Sequence, residues 1–186
     1  EEARMNNVGD QFSILIMSSN KYIGLVDRFV RLINKNWSDN PFKIYLSLEK
    51  KRVPLTNNIQ PIQSNTKYWS KRLFESLNII ETEYVIIFLE DYWIFNKIDN
   101  KKIQSILEFT IKYKLNYLST TKDKSNPMLD KESYINHNRM LFFPVKTGHN
   151  HPYLLTAHGI YNTNFLKKVL RKYESPWEFE LNASYR

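Results

Sequence analysis

Residues 68–95 read YWSKRLFESLNIIETEYVIIFLEDYWIF, and this stretch decides the fold. Its centre, Tyr84 to Leu89, is the longest uninterrupted apolar run in the chain and ends abruptly on Glu90 and Asp91. A six-residue run of β-branched and aromatic residues without polar alternation suits a strand buried on both faces of a mostly parallel sheet. Acids at the end of such a strand stand where open α/β sheets bind ligands, in the crevice outside the carboxyl ends of the strands. Upstream, Trp69, Leu73, Leu77 and Ile80 recur at helical spacing, with Ser70 as the expected N-cap. Lys71 and Arg72 then fall in the first turn, where the helix dipole disfavours cations. Two readings stay open for them: they face a bound anion, or they are solvated surface residues of little energetic consequence.

Working outward, FSILIMSS (12–19) reads as a first buried strand, residues 21–36 as an amphipathic helix, and FKIYLSL (42–48) as a second strand. Strand, helix, strand within so short a span is a βαβ unit with a right-handed parallel crossover. A basic, proline-containing loop follows over 50–58, and 59–68 reads as polar and irregular. Beyond the central block, Asp99 to Tyr113 fits a helix capped by Asp99 or Asn100, and 115–121 and 139–145 read as strands. The polar stretch 122–138 carries no assignable pattern. YLLTAHGIY (153–161) reads as a strand running into a bend at Gly159, and 164–172 as a short helix before ESPWEFE (174–180). There is no internal repeat or low-complexity linker, so one α/β domain in three layers around a central sheet is expected over 1–186. Glu1 to Arg4 read as vector-derived residues ahead of Met5.

At 186 residues, 42% hydrophobic and 25% charged, the chain has the composition of a globular domain. Its four glycines never cluster, which argues against a P-loop or a dinucleotide-binding fingerprint. With no cysteine, disulfides, thiolate-bound zinc and thiol catalysis are excluded. No apolar run approaches a membrane span, and the N-terminus lacks a signal-peptide pattern, so a cytoplasmic protein is expected. A net charge of +8 favours anionic partners: nucleic acid, phosphorylated sugars or the acidic face of the inner membrane.

A helix with a basic start, a short turn, Glu-Tyr-Val, a hydrophobic strand and a terminal acidic pair resembles the donor-binding half of family 2 type glycosyltransferases, which have a GT-A fold. The resemblance is strongest over 68–95. It returns over His158 to Glu180, where a Gly-hydrophobic-aromatic turn, a short helix and Ser-Pro-Trp-Glu-Phe-Glu are similar to the C-terminal part of some bacterial polysaccharide glycosyltransferases. It implies transfer of a sugar from a nucleotide-sugar to a hydroxyl of a glycan or lipid-linked glycan in bacterial surface polysaccharide assembly, with inversion. It further implies that the end of the first strand, Ser18 and Asn20, lies under the nucleotide, and that an aromatic and an acid after the last helix line the acceptor site.

Such a transfer needs a counter-charge for the departing diphosphate and a carboxylate to take the acceptor proton. Glu90 and Asp91 are the candidate ligands of a divalent cation, Mg²⁺ or Mn²⁺, bridging the diphosphate. Because adjacent side chains on a strand point to opposite faces, only one is expected to reach the ligand, and Asp91 is preferred. The family's Asp-x-Asp pattern is incomplete, since Tyr92 and Trp93 follow Asp91, and Arg72 is the candidate to share the charge stabilisation. Glu180 is the expected general base, with Glu178 second; their alternative is as acids at a helix N-terminus. Trp177 offers an apolar platform for an acceptor sugar, and His158 is a candidate contact to acceptor or diphosphate. His149 and His151, with His158, are too loosely spaced to argue for zinc. Two other functions compete: a basic nucleic-acid-binding module, disfavoured because the aromatics lie within apolar runs, and a nucleotidyltransferase, disfavoured by the missing glycine-rich loop. The chain is short for the resembled enzymes, which leaves part of the acceptor site to a further C-terminal segment or another subunit.

Overall fold

The computed structural model describes residues 8–49, 59–120, 127–146 and 152–186. The basic loop 50–58, Glu1 to Arg4, His149 and His151 lie outside the described residues. A six-stranded sheet runs β3-β2-β1-β4-β8-β5. Its strands are β1 (Phe12–Met17), β2 (Lys43–Leu48), β3 (Ile59–Gln63), β4 (Tyr84–Leu89), β5 (Tyr117–Leu118) and β8 (Gly159–Asn162). The first four are mutually parallel, and β8 runs antiparallel to both of its neighbours. Among the described residues, the sheet's two faces are covered by α1 (Ile23–Asn36), α2 (Trp69–Ile79), α3 (Asn100–Lys112), α4 (Thr163–Val169) and α5 (Pro176–Asn182).

The unbroken apolar strands are explained by which layer each side chain enters. Along β1, Phe12, Ile14 and Ile16 join the core under α1 and α3, while Leu15 and Met17 join the core under α2, α4 and α5. β4 divides the same way, with Tyr84 and Ile86 on one side and Val85 and Ile87 on the other. A strand with no wet face has no position for a polar residue except a satisfied one. Ser13 is fully buried and accepts from the Thr82 hydroxyl at 3.0 Å. Each fully buried Ile or Leu contributes about 1.5–3 kcal/mol of transfer free energy, so these two strands anchor the domain.

The structure departs from the sequence expectations in several places. The stretch 59–68 is not irregular: Ile59–Gln63 pairs in parallel with β2 as an edge strand, where Pro61 removes no needed donor. The cap of α2 is Tyr68 rather than Ser70, which is buried within the first turn. The 139–145 strand is one half of a small hairpin, β6 (Ile135–His137) with β7 (Met140–Phe142), turned by Asn138 and Arg139 at φ 49 and 64°. It leans on α3 through Phe142, stacked 3.7 Å from Phe109. Of the expected strand 153–161 only the end is β-structure, since Tyr153 adopts φ 65° and 153–158 forms a loop. Gly159, at φ 124°, begins β8; a Cβ there would meet the Tyr117 ring at 2.8 Å and the Leu118 carbonyl at 3.1 Å. No helix among the described residues is long and apolar enough to cross a membrane.

Candidate active site

The sheet order places the site. From β1 the chain crosses to β2 and β3 on one side, then returns through α2 to β4 on the other side of β1. Strand order therefore reverses between β1 and β4, the switch point at which open α/β sheets form a crevice at the strands' carboxyl ends. Met17 and Leu89 are paired as the last residues of these strands. A cleft of about 830 Å³ opens beyond them, lined by Ser18, Lys21, Glu49, Arg72, Glu90 and Asp91, and also by Trp177, Glu178 and Glu180 of α5.

Glu90 and Asp91 both line this cleft. Strand alternation does not separate them because β4 has ended: the chain turns, with Tyr92 N–H donating to the Leu89 carbonyl at 3.0 Å and Trp93 N–H to the Asp91 carbonyl at 3.1 Å. Glu90 is half-buried and Asp91 exposed. Burial pushes the Glu90 carboxyl above the ordinary range, the Asp91 charge adds to this, and Arg72 opposes it. Among the described residues no group of three or more His, Cys, Asp or Glu could hold a metal alone. Mg²⁺ is commonly held by only one or two carboxylates together with substrate phosphates, and Glu90 with Asp91 suit that mode.

Arg72 is neither solvated nor a bare anion ligand. It is buried, and its Nη1 donates to Glu49 Oε1 at 3.1 Å and to the Thr66 and Lys67 carbonyls at 3.3 and 2.8 Å. Its Nε is buried without a partner. Lys71, one residue earlier, is exposed. Ser18 is buried at the end of β1, its N–H donating to the Ser47 carbonyl at 3.1 Å. Asn20 opens a 3-10 turn beside it and is exposed; its neighbours Lys21 and Tyr22, rather than Asn20 itself, line the cleft.

The two C-terminal acids differ sharply. ESPWEFE is not extended but forms the start of α5, capped by Ser175 with Pro176 in the first turn. Glu178 completes a capping box: its N–H donates to Ser175 Oγ at 3.2 Å and its carboxylate accepts from Ser175 N–H at 2.8 Å. The Ser175 backbone N–H first, and the Ser175 side chain after it, hold this carboxyl below the ordinary range. The alternative of a helix N-terminal acid thus describes Glu178. Glu180, half-buried, instead reaches the 153–158 loop, where its Oε1 accepts from the Ala157 N–H at 2.8 Å. Its own carbonyl accepts from Tyr153 N–H at 2.7 Å. That loop is held from below: the Tyr161 hydroxyl donates to the Thr156 carbonyl at 2.5 Å, and Thr156 Oγ1 donates to the His158 carbonyl at 2.7 Å.

His158 is 6% exposed and packs against the Tyr92 ring, centroids 4.4 Å apart, rather than lining the cleft. Both its ring nitrogens are buried without a partner. Burial lowers its pKa, while the Glu180 and Asp91 charges draw it up. Trp177 projects 69% exposed at the rim. The sequence reading missed Lys21, Glu49, Lys67, Tyr68 and Tyr173 of the lining. Lys21 and Glu49 had a usable signal, since each lies just past the end of a parallel strand.

The comparisons with known proteins bear on the fold. No family model and no curated protein matches the chain. Among solved structures, it is similar to residues 1–349 of TarS from S. aureus, at TM-score 0.55 and 14% identity over 91% of this chain and 52% of that one. The same protein crystallised in complex with UDP gives TM-score 0.55 and 14% identity over 94% and 54%. The bifunctional IspDF from Campylobacter jejuni gives TM-score 0.50 and 16% identity over 94% and 47%. The chain thus spans about half the length of these structures. The likeness shows the fold alone: α/β, with a central, mostly parallel sheet.

Proposed function

We propose that this domain is a glycosyltransferase that binds a nucleotide-sugar at the β1–β4 switch point and passes the sugar, with inversion, to a hydroxyl of a glycan or lipid-linked glycan. The observation that carries this reading is the convergence of two acids at the end of β4 with a third, Glu180 of α5, in the lining of one cleft. A structurally similar protein that binds UDP supports a nucleoside diphosphate as the ligand.

In this mechanism Ser18 and Lys21 flank the nucleotide at the end of β1. Glu90 and Asp91 would hold a divalent cation, which when bound neutralises charge on the leaving diphosphate. Arg72 keeps Glu49 in place and lends its charge to the Glu90 side of the cleft. Glu180, oriented by the Ala157 N–H, takes the proton from the acceptor hydroxyl. The acceptor oxygen then bonds to the anomeric carbon, and the anomeric C–O bond breaks with its electron pair leaving on the diphosphate. Trp177 is the acceptor-side platform, and His158 supports the wall through Tyr92. Surface glycan assembly at the cytoplasmic side of a bacterial inner membrane is the setting to which the reading leads.

Thermal-shift screening against UDP-, GDP-, CMP- and TDP-sugars, with and without Mn²⁺, tests it. One sugar nucleotide should stabilise the protein in a saturable way that Asp91→Asn abolishes. Stabilisation by CTP or another nucleoside triphosphate alone would instead favour nucleotidyl transfer, and by single-stranded oligonucleotides alone a nucleic-acid module.

A further inference from the structure

A second groove, of about 440 Å³, lies outside the cleft between the exposed stripe of α2 and the loop joining α4 to α5. Lys71, Phe74 and Asn78 face it from α2, and Arg171, Lys172 and Tyr173 from the loop. All six are exposed. Its one carboxylate, Glu75, is engaged by the Ser64 hydroxyl. Among the described residues, Lys71, Arg171 and Lys172 form no ion pair. Arg171 Nη1 donates only to the Lys168 and Leu170 carbonyls.

The loop that carries these groups is built rather than slack. Glu174 is buried; its N–H donates to Ser70 Oγ at 2.9 Å, and its carbonyl accepts from Ser70 N–H at 3.1 Å. Its carboxylate accepts from Arg171 N–H at 3.0 Å and pairs with Arg186. These ties hold Tyr173 at φ 70°, a conformation costly for a tyrosine, with its ring 58% exposed. Tyr173 is also a wall of the catalytic cleft, and its ring meets Tyr68 at 4.6 Å. Tyr173 thus joins the rim of the cleft to the basic groove, whose face carries Lys71, Arg171 and Lys172 beside Phe74 and Tyr173.

We propose that this face is the docking surface for an anionic lipid bilayer. Unpaired cations beside exposed aromatics match such a surface, because the cations meet the lipid phosphates while Phe74 and Tyr173 enter the headgroup layer. Docked this way, the cleft opens toward the bilayer across Tyr173, and the acceptor is delivered from the membrane. That last consequence rests on the transferase reading; the contact itself does not.

Co-sedimentation with phosphatidylglycerol/phosphatidylcholine vesicles against pure phosphatidylcholine is the test. Binding is expected to the anionic vesicles only and to weaken with salt. Lys71→Ser and Lys172→Ser should each lower the partition coefficient about 5-fold, and together about 25-fold. Phe74→Ser should lower it further, with Tm and sugar-nucleotide affinity unchanged throughout. None of these three side chains lines the cleft. Equal binding to both vesicle types, or no loss in the double variant, overturns the proposal. Displacement by inorganic phosphate at constant ionic strength would mark a discrete phosphate pocket, and a preference for single-stranded oligonucleotide lost in the same variants a nucleic-acid surface; either overturns it as well. Vesicle binding without any sugar-nucleotide affinity would leave the docking surface standing and remove the transferase reading.

Discussion

Glu180 Oε1 accepts a hydrogen bond from the Ala157 backbone N–H at 2.8 Å, so the acid on the α5 wall is aimed by the loop that precedes β8. Glu180→Gln keeps an acceptor oxygen for Ala157 and removes only the basic charge. It should slow sugar transfer by about 10²- to 10⁴-fold, the usual cost of losing a general base, and leave donor affinity and Tm unchanged. Glu180→Ala also loses the Ala157 partner and should lower Tm. Transfer assays paired with donor titrations check this. A loss of affinity in the Gln variant would move Glu180 to the donor side, and full activity would remove it from the mechanism.

Asp91 is exposed in the turn after β4 and Glu90 half-buried beside it, so charge removal at Asp91 disturbs little packing. Asp91→Asn should lower transfer by roughly 10²-fold or more, as expected for loss of charge stabilisation at a leaving group. EDTA should do the same to the wild type, with Mn²⁺ or Mg²⁺ restoring it. Activity indifferent to both changes would leave the two acids without a cation. Because burial raises the Glu90 pKa, the charged form is the disfavoured one in the folded protein. Cation-dependent donor binding should therefore weaken as pH falls through that raised value, and Glu90→Gln should remove this part of the pH dependence.

The fold was legible where physical demand on the sequence was strongest. β1, β2 and β4 lie between two helical layers, so every position must be apolar or satisfied, and the runs 12–17, 43–48 and 84–89 stand out. β3 escaped because an edge strand carries little such demand: IQPIQ exposes three of its five residues and tolerates Pro61. The strand expected over 153–161 fails at 153–158, where the chain is a loop fastened locally by Thr156 and Tyr161 and, across 23 residues, by the Ala157 N–H on Glu180, a tie that no local pattern encodes. Glu90 and Asp91 stood out at a strand end and Glu180 through the resemblance over 158–180, and all three line the cleft. Arg72 was readable as a cation but not as the partner of Glu49, because that pairing is made across 23 residues.

His158 offers a pH test of the wall behind the cleft. Its pKa is lowered chiefly by burial, so the fold favours the neutral ring. The stability this gives is present above the unfolded histidine pKa of about 6.5 and is lost as pH falls through the lower folded value. Wild-type Tm should therefore decline as pH falls below about 6.5 more steeply than that of His158→Phe, which keeps the ring packing on Tyr92 and removes the titration. Parallel Tm curves for the two proteins would show that His158 does not titrate with unfolding. Transfer activity of His158→Phe, measured at pH 8 where the native ring is neutral, should stay within a few-fold of wild type if its part is support for Tyr92. A loss as large as that of Glu180→Gln would place the imidazole on the substrate.

The buried Arg72–Glu49 pair separates structural from donor-binding roles in the cleft floor. Arg72 Nη1 spans Glu49 and the carbonyls of Thr66 and Lys67, tying the start of α2 to the end of β2. Arg72→Met strands the Glu49 carboxylate, whose side chain is 19% exposed, and leaves two carbonyls unpaired. Removing one partner of a buried pair costs about 3 kcal/mol or more, so unfolding in urea should shift by that order. Glu49→Gln should cost less, because the neutral amide oxygen still accepts from the guanidinium. In the double variant Arg72→Met/Glu49→Gln, most of the single-variant loss should be recovered, since no charge is then left unpaired. Sugar-nucleotide affinity measured on that refitted protein isolates the ligand role: a fall of tenfold or more assigns the Arg72 charge to the diphosphate. Unchanged affinity makes Arg72 the brace of the cleft alone.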